Sequence, residues 1–370
     1  MHCASLGEFE QGRPVLEAIK QQYPDIPIVL TFYSPSGYEI RKNYPGADFI
    51  YYLPPDSPQN AKRFLAAVQP SLAIFVKYEF WHFYLKALKS KRVPTLLISA
   101  IFRKKQTFFK SYGGFWRNML NTFDQLFVQT ADSAALLKES GLGEKVTISG
   151  DTRFDRVITI AGNKEPLPLI AAFCANFPVI VAGSTWIEDE EVLDHFARTH
   201  PEVRFIIAPH EIHENRLKEI EKLFVNTIRF SKWKTISESE RKSLPPGINV
   251  LIIDNIGMLS RLYSYADITY IGGAFGGDGI HNILEAVVYY KPVVFGPVYE
   301  GFKETTELVD AGGAETVENA LELEKVFNTL LEHKDLRENK GKISGTYVRE
   351  NAGATAIIMQ YIQENRLLTN

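Results

Sequence analysis

Cysteine is scarce: Cys3 and Cys174 are the only two, far apart and without a Cys-x-x-Cys pair. That excludes a disulfide framework and a thiolate zinc site, and fits a reducing compartment. No run approaches the ~18 apolar residues that a membrane-spanning helix needs, and no basic-then-apolar leader opens the chain. Repeats and low-complexity tracts are missing too. With a net charge of −3 the molecule as a whole has no attraction for nucleic acid. The most informative lack is local. Between residues 80 and 123 there is no aspartate or glutamate, although the chain carries 44 acids. The same stretch holds nine basic residues: Lys86, Lys89, Lys91, Arg92, Arg103, Lys104, Lys105, Lys110 and Arg117. Among them lie Phe102, Phe108, Phe109, Tyr112, Phe115 and Trp116. A basic, aromatic patch on an otherwise acidic chain points to anionic lipid headgroups or a phosphorylated lipid. Core aromatics beneath a solvated lysine face are the alternative. Nucleic acid fits poorly, because no recognised binding motif accompanies the patch.

What is present is an α/β pattern. At 370 residues, 45% hydrophobic and 23% charged, the chain suits two domains with real cores. Continuous apolar runs at 28–33, 72–76, 95–99, 126–129 and 146–149 read as parallel strands buried on both faces. A second series follows at 179–182, 204–208, 250–253, 268–271 and 292–295. Amphipathic stretches such as 10–22, 57–68 and 188–199 separate them, so each half reads as a doubly wound, Rossmann-like parallel sheet. The expected division is an N-terminal domain over 1–157, a linker over 158–177 marked by Gly162, Pro166 and Pro168, a C-terminal domain over 178–345, and a final helical segment over 346–370. Two such domains are expected to face a central cleft at the carboxyl ends of their strands.

Several motifs follow strands. The run from Gly272 to Asn282 is glycine-rich and is expected to open a helix through Glu285, with Asn282 and Glu285 on one face. An amide near a phosphate and a carboxylate near ribose hydroxyls would suit a sugar nucleotide. Gly183-Ser184-Thr185-Trp186 precedes the acidic run Glu188 to Glu191. Ser184 or Thr185 can cap that helix or meet a phosphate, and the acids favour the positive helix end rather than a metal. His210 and His213 are three apart, not the four of a zinc helix, so His210 is better read as a phosphate donor. Ser5-Leu6-Gly7-Glu8 lies just past a first strand remnant. Gly7 permits a turn and Glu8 is a candidate base, although on spacing alone a Ser-x-x-Glu capping box explains it. Glu79 sits in Lys77-Tyr78-Glu79-Phe80-Trp81, again past a strand.

Taken together these motifs resemble those of the 3-deoxy-D-manno-octulosonate (Kdo) transferases, in the form found in Bacteroidetes-like bacteria. Ser5-Leu6-Gly7-Glu8 resembles the family's Ser-x-Gly-Glu, and residues 31–37 (T-F-Y-S-P-S-G) its Thr-x-Thr-x-x-Thr-Gly. Glu79-Phe80-Trp81 resembles its Glu-x-Trp, and Ser99-Ala100 with Arg103 its Ser-Ala-Arg. Gly183-Ser184-Thr185, Pro209-His210 and Gly272 through His281, Asn282 and Glu285 follow in order. The resemblance implies a GT-B fold, CMP-Kdo as donor, no cofactor or metal, and a lipid A precursor as acceptor. It implies Glu8 as general base and Glu79 as a second essential acid. Ser184, Thr185, His210, Gly257, Leu259, His281, Asn282 and Glu285 would hold the donor, and Arg103 and Arg153 would meet phosphate or carboxylate. Lys104, Lys105, Lys110, Phe108, Phe109 and Trp116 would meet acceptor or membrane. The family often has Pro-Arg-His where this chain has Pro209-His210-Glu211, so an expected arginine is absent, and the chain departs also at Gly279-Ile280, a doubled glycine elsewhere, at Met258 and at Arg153, a lysine elsewhere. The family's apolar N-terminal anchor is not in this sequence, which opens inside a motif at Met1-His2-Cys3. We therefore expect upstream sequence to have been lost, and a peripheral location on the anionic cytoplasmic face of the inner membrane. A UDP-sugar transferase, a UDP-sugar 2-epimerase and an inactive lipid-binding remnant are the alternatives.

Overall fold

A computed structural model describes all residues except Lys164, Glu238, Glu240, 242–246, Asp278 and Asn370. The chain divides into two compact units. One comprises Met1–Arg156 with Asn351–Asn370, the other Val157–Glu350. The final helix, Ala354–Glu364, thus joins the first unit, where Ile358 and Ile362 enter its core. The segment read as a linker carries the end of the helix Thr152–Gly162 and the helix Pro168–Cys174, with Pro168 in the first turn, where its missing N–H has no partner to lose.

The first unit holds strands β1 (Val29–Phe32), β2 (Phe49–Tyr52), β3 (Ala73–Val76), β4 (Thr95–Ala100), β5 (Gln125–Val128) and β6 (Val146–Ile148). All pair in parallel, β1 with β2 and β3 through β6 in order. His2 closes the gap, bridging Thr31 on β1 and Phe75 on β3. The strand remnant read from the sequence is therefore a real rung of the sheet. Successive residues point to opposite faces. Leu30, Phe32, Val76 and Ile98 pack under the helix Leu6–Gln22, while Phe75, Leu97 and Leu126 pack with Leu85 and Phe123 on the other side. Burial on both faces explains the unbroken apolar runs, each fully buried Leu, Ile or Phe contributing roughly 1.5–3 kcal/mol.

The second unit is built the same way. Its strands are β7 (Val179–Thr185), β8 (Arg204–Pro209), β9 (Thr227–Arg229), β10 (Val250–Ile252), β11 (Ile268–Ile271), β12 (Val293–Phe295) and β13 (Ala314–Thr316). They form one parallel sheet in the order β13-β12-β11-β7-β8-β10-β9. The order reverses beside β7, so the carboxyl ends of β7, β8 and β11 lie side by side at the switch point, where ligands of such sheets bind.

Candidate active site

In the first unit a charged cluster collects past the strand ends. Glu8 lies in the first turn of the helix Leu6–Gln22, and its Oε2 accepts the Ser5 backbone N–H at 3.0 Å. That is the carboxylate half of a capping box. Gly7 is thus helical rather than part of a turn. No atom comes within 4 Å of where a Cβ on Gly7 would sit, so the helix start beside Glu8 is open. Burial, and after it the charge of Glu79, pushes the Glu8 carboxyl above its ordinary pKa. Glu79 is pinned on one oxygen: Trp81 Nε1 donates to Oε2 at 2.5 Å and His2 Nε2 lies 3.1 Å from it.

Lys77 completes the cluster. It follows β3 directly with φ of +68°, a strained conformation for a residue with a Cβ. Burial first, then the charge of Arg153, lowers its pKa. Ser99 and Ser184, at the ends of β4 and β7, are the same kind of outlier, with φ of +53° and +54°. Strain of this sort costs about 1–3 kcal/mol per residue and gathers at functional sites. Arg153 is tied to buried Asp151 by Nε–Oδ2 and Nη2–Oδ2 contacts of 2.8 Å, while Arg103 is exposed. The Ser99 hydroxyl is buried on Thr152 at 2.9 Å. Sequence reasoning missed His2 and Lys77, because what brings them into this cluster is the cross-strand neighbour.

The proposed donor residues collect at the switch point of the second unit. Trp186, His210 and His281 form a stack, with ring centroids 4.5 Å apart for Trp186–His210 and 4.6 Å for His210–His281. Trp186 Nε1 donates to His281 Nε2 at 3.0 Å, so that nitrogen is the acceptor. The N-cap of the helix Ile187–Thr199 is Trp186, not Ser184 or Thr185 as the sequence suggested. The acidic run does more than favour a helix dipole. Buried Asp189 accepts from the backbone N–H of Trp186 (2.9 Å) and Gly273 (2.8 Å) and from the Tyr270 hydroxyl (2.8 Å). Buried Glu190 accepts from Thr185 at 2.8 Å and pairs with Arg216, and burial lifts its carboxyl to about 7. Thr185 therefore serves the fold.

The glycine-rich loop departs from expectation. A Cβ at Gly272 would lie 2.4 Å from the Ser184 carbonyl, so packing against β7 by itself requires a glycine here. The helix expected through Glu285 is present but short and starts after Asn282. Only Leu284–Val287 is helical, and Asn282 precedes it, its Oδ1 accepting from Leu284 N–H at 3.2 Å and its amide donating to Glu285 at 3.4 Å. Four residues align too few peptide dipoles to hold a phosphate on a macrodipole. Asp278 lies outside the described residues. Gly257, with φ of +93°, and Leu259 follow β10 on the same carboxyl edge. His213 caps the helix Glu214–Leu223 through Nδ1, which accepts from Arg216 N–H at 3.2 Å.

The basic stretch is part core, part surface. Phe108 is buried in the first unit's core with Phe102, which removes it from any docking face: the short turn Thr107–Phe109 folds its ring inward, and Arg117 fixes that turn by donating to the Phe108 and Lys110 carbonyls. Phe109 is half-buried against the same cluster. Lys104 and Lys105 are exposed, as are Tyr112 (76%), Phe115 (54%) and Trp116 (40%). Among the described residues no helix is long and apolar enough to cross a membrane.

Comparison with known proteins gives these features a context. Residues 1–156 match the family described as 3-Deoxy-D-manno-octulosonic-acid transferase (kdotransferase). The 3-deoxy-D-manno-octulosonic acid transferase of Haemophilus influenzae is 26% identical over 384 aligned residues, covering 99% of this chain and 87% of its own. That of Aquifex aeolicus is 27% identical, covering 95% of this chain and 91% of its own. In fold, a UDP-GlcNAc 2-epimerase from Neisseria meningitidis solved with UDP-GlcNAc superposes with a TM-score of 0.66 at 19% identity over 98% of each chain. MurG from Acinetobacter baumannii superposes at 0.55 and 13% identity, again over 98% of each chain. The fold is thus the GT-B type with two Rossmann-like units; by sequence, residues 1–156 match the Kdo transferase family and the whole chain is similar to Kdo transferases at 26–27% identity.

Proposed function

We propose that this protein transfers Kdo from CMP-Kdo to a hydroxyl of a lipid A precursor in lipopolysaccharide assembly, with inversion and without a metal. The observation that carries the reading is Glu8: an accessible carboxylate at a helix start, made more basic by burial and by Glu79, within the domain that matches the family. Glu8 takes the proton of the acceptor hydroxyl as that oxygen attacks the anomeric carbon, help worth roughly 10²–10⁴-fold. The developing oxocarbenium character and the donor's carboxylate call for fixed charges nearby. Lys77, Arg103 and Arg153 supply the positive ones and Glu79 the negative one.

In the second unit Ser184, His210, His281, Asn282 and Glu285, with Gly257 and Leu259, form the CMP subsite. The His210–Trp186 stack supports it from behind. Lys104, Lys105 and Lys110, with exposed Tyr112, Phe115 and Trp116, dock the first unit on an anionic membrane surface, which on this reading is the cytoplasmic face of the inner membrane. Each basic residue there adds about 1 kcal/mol. The donor assignment is tested by calorimetry with CMP and UDP. CMP should bind and UDP should bind at least tenfold more weakly; equal affinities, or UDP preferred, would refute it.

A further inference from the structure

His2 is absent from the account so far except as a neighbour, yet it is among the most constrained side chains in the first unit. Only 4% of it is exposed. Its backbone N–H and carbonyl are both held by β3, N–H to the Ile74 carbonyl at 2.8 Å and carbonyl from the Val76 N–H at 3.2 Å, which fixes the main chain beneath the ring. The ring stands edge-on to Phe75 and Trp81, at 5.8 and 5.3 Å. Its two nitrogens meet two polar groups: Nδ1 lies 2.9 Å from Thr31 Oγ1, and Nε2 lies 3.1 Å from Glu79 Oε2.

Proton bookkeeping then fixes every donor. The groups facing the ring are Glu79, Thr31, Trp81, Phe75 and the Met1 amine. Burial outweighs the pull of Glu79 and lowers the imidazole's pKa, so the ring is neutral with one N–H. A carboxylate only accepts. The hydrogen is therefore on Nε2, directed at Glu79, and Nδ1 accepts from the Thr31 hydroxyl. The other acceptor within reach of that hydroxyl, the Met1 carbonyl, is farther at 3.4 Å. With Trp81 also donating to Oε2, both N–H groups converge on one oxygen and set the carboxylate's position.

We propose that Thr31 and His2 are positioning residues for the transfer reaction, acting as a hydrogen-bonded relay, Thr31 to His2 to Glu79, that holds the Glu79 charge beside the base Glu8. The proposal rests on the reading of Glu8 as base. No proton crosses the relay: Glu79 selects the Nε2–H tautomer, Thr31 holds the ring through Nδ1, the ring's N–H orients Glu79, and the fixed negative charge keeps Glu8 basic.

The test uses Thr31→Val, which is isosteric and keeps the strand, together with His2→Gln and His2→Leu. Nitrogen-15 NMR of the imidazole should show the Nε2–H tautomer in the native protein, with an Nδ1 resonance that moves toward that of an unbonded lone pair in Thr31→Val. The kcat of Thr31→Val and His2→Leu should fall about 10–100-fold, the range for removing a supporting partner, with the KM for CMP-Kdo unchanged. His2→Gln keeps an N–H for Glu79 and should recover most of the loss. An Nδ1–H tautomer in the native protein, or an unchanged Nδ1 resonance and kcat in Thr31→Val, would overturn the relay, as would equal losses in the Gln and Leu variants. The tautomer is read without turnover, so it judges the relay even if Glu8→Gln shows that Glu8 is not the base.

Discussion

Replacing Glu8 by glutamine separates the two tasks that this side chain performs. The carboxylate accepts the Ser5 N–H at 3.0 Å at the start of a 17-residue helix. Glutamine presents a carbonyl oxygen at the same place, so that bond survives and stability should change by less than about 1 kcal/mol. What it cannot do is take a proton. If Glu8 is the base, turnover falls by roughly 10²–10⁴, or about 2.7–5.4 kcal/mol of transition-state stabilisation. Alanine removes both functions and should in addition lower stability by about 0.5–2 kcal/mol. The assay is product formation from CMP-Kdo and a lipid A precursor, beside denaturant melts of both variants and calorimetry with CMP. Intact melting and CMP binding with turnover lost is the expected pattern for Glu8→Gln. Near-native turnover in that variant would refute the reasoning.

Other perturbations test separate links. Glu79→Gln removes the charge that, after burial, raises the Glu8 pKa; that pKa should fall toward the usual carboxylate range, and carbon-13 NMR of the Glu8 carboxyl reads it directly. Arg216→Met strands Glu190, whose side chain is 0% exposed, and should cost about 3–5 kcal/mol at pH 8. Because the folded-state pKa of Glu190 is raised to about 7, the acid enters the fold neutral at low pH, so urea melts should show a smaller loss at pH 5.5 than at pH 8. Changing Lys104, Lys105 and Lys110 to Glu should abolish co-sedimentation with anionic vesicles at low salt and leave CMP affinity unchanged; equal sedimentation would make the patch only a solvated face.

The interior of the fold was readable because burial on two faces writes itself as unbroken apolar runs. Ile268–Ile271 and the run around Thr95–Ala100 are examples, 0% exposed at nearly every position. The three strands missed, Phe49–Tyr52, Thr227–Arg229 and Ala314–Thr316, all lie at sheet edges. An edge strand has fewer covered neighbours: Thr227–Arg229 and Ala314–Thr316 carry no apolar run, and Phe49–Tyr52, which does, leaves Phe49 and Tyr51 about half exposed. The site divides the same way. Glu79 and His210 are legible as candidates because residues just past parallel strands face the ligand edge, whereas Glu8 on spacing alone reads as a capping box and becomes a candidate base only through the family resemblance. His2 and Trp186 could not, since their partners, Glu79 and His281, are distant in sequence and adjacent only through strand order. Local spacing also over-read the glycine loop, where Gly272 answers to the Ser184 carbonyl.

The central claim is the transfer itself. Purified protein incubated with CMP-Kdo and a lipid A precursor, in the presence of EDTA, should release CMP and yield a product whose mass has grown by one or more Kdo units. No mass gain with an intact, CMP-binding protein, or a gain that requires added Mg²⁺, would contradict the account.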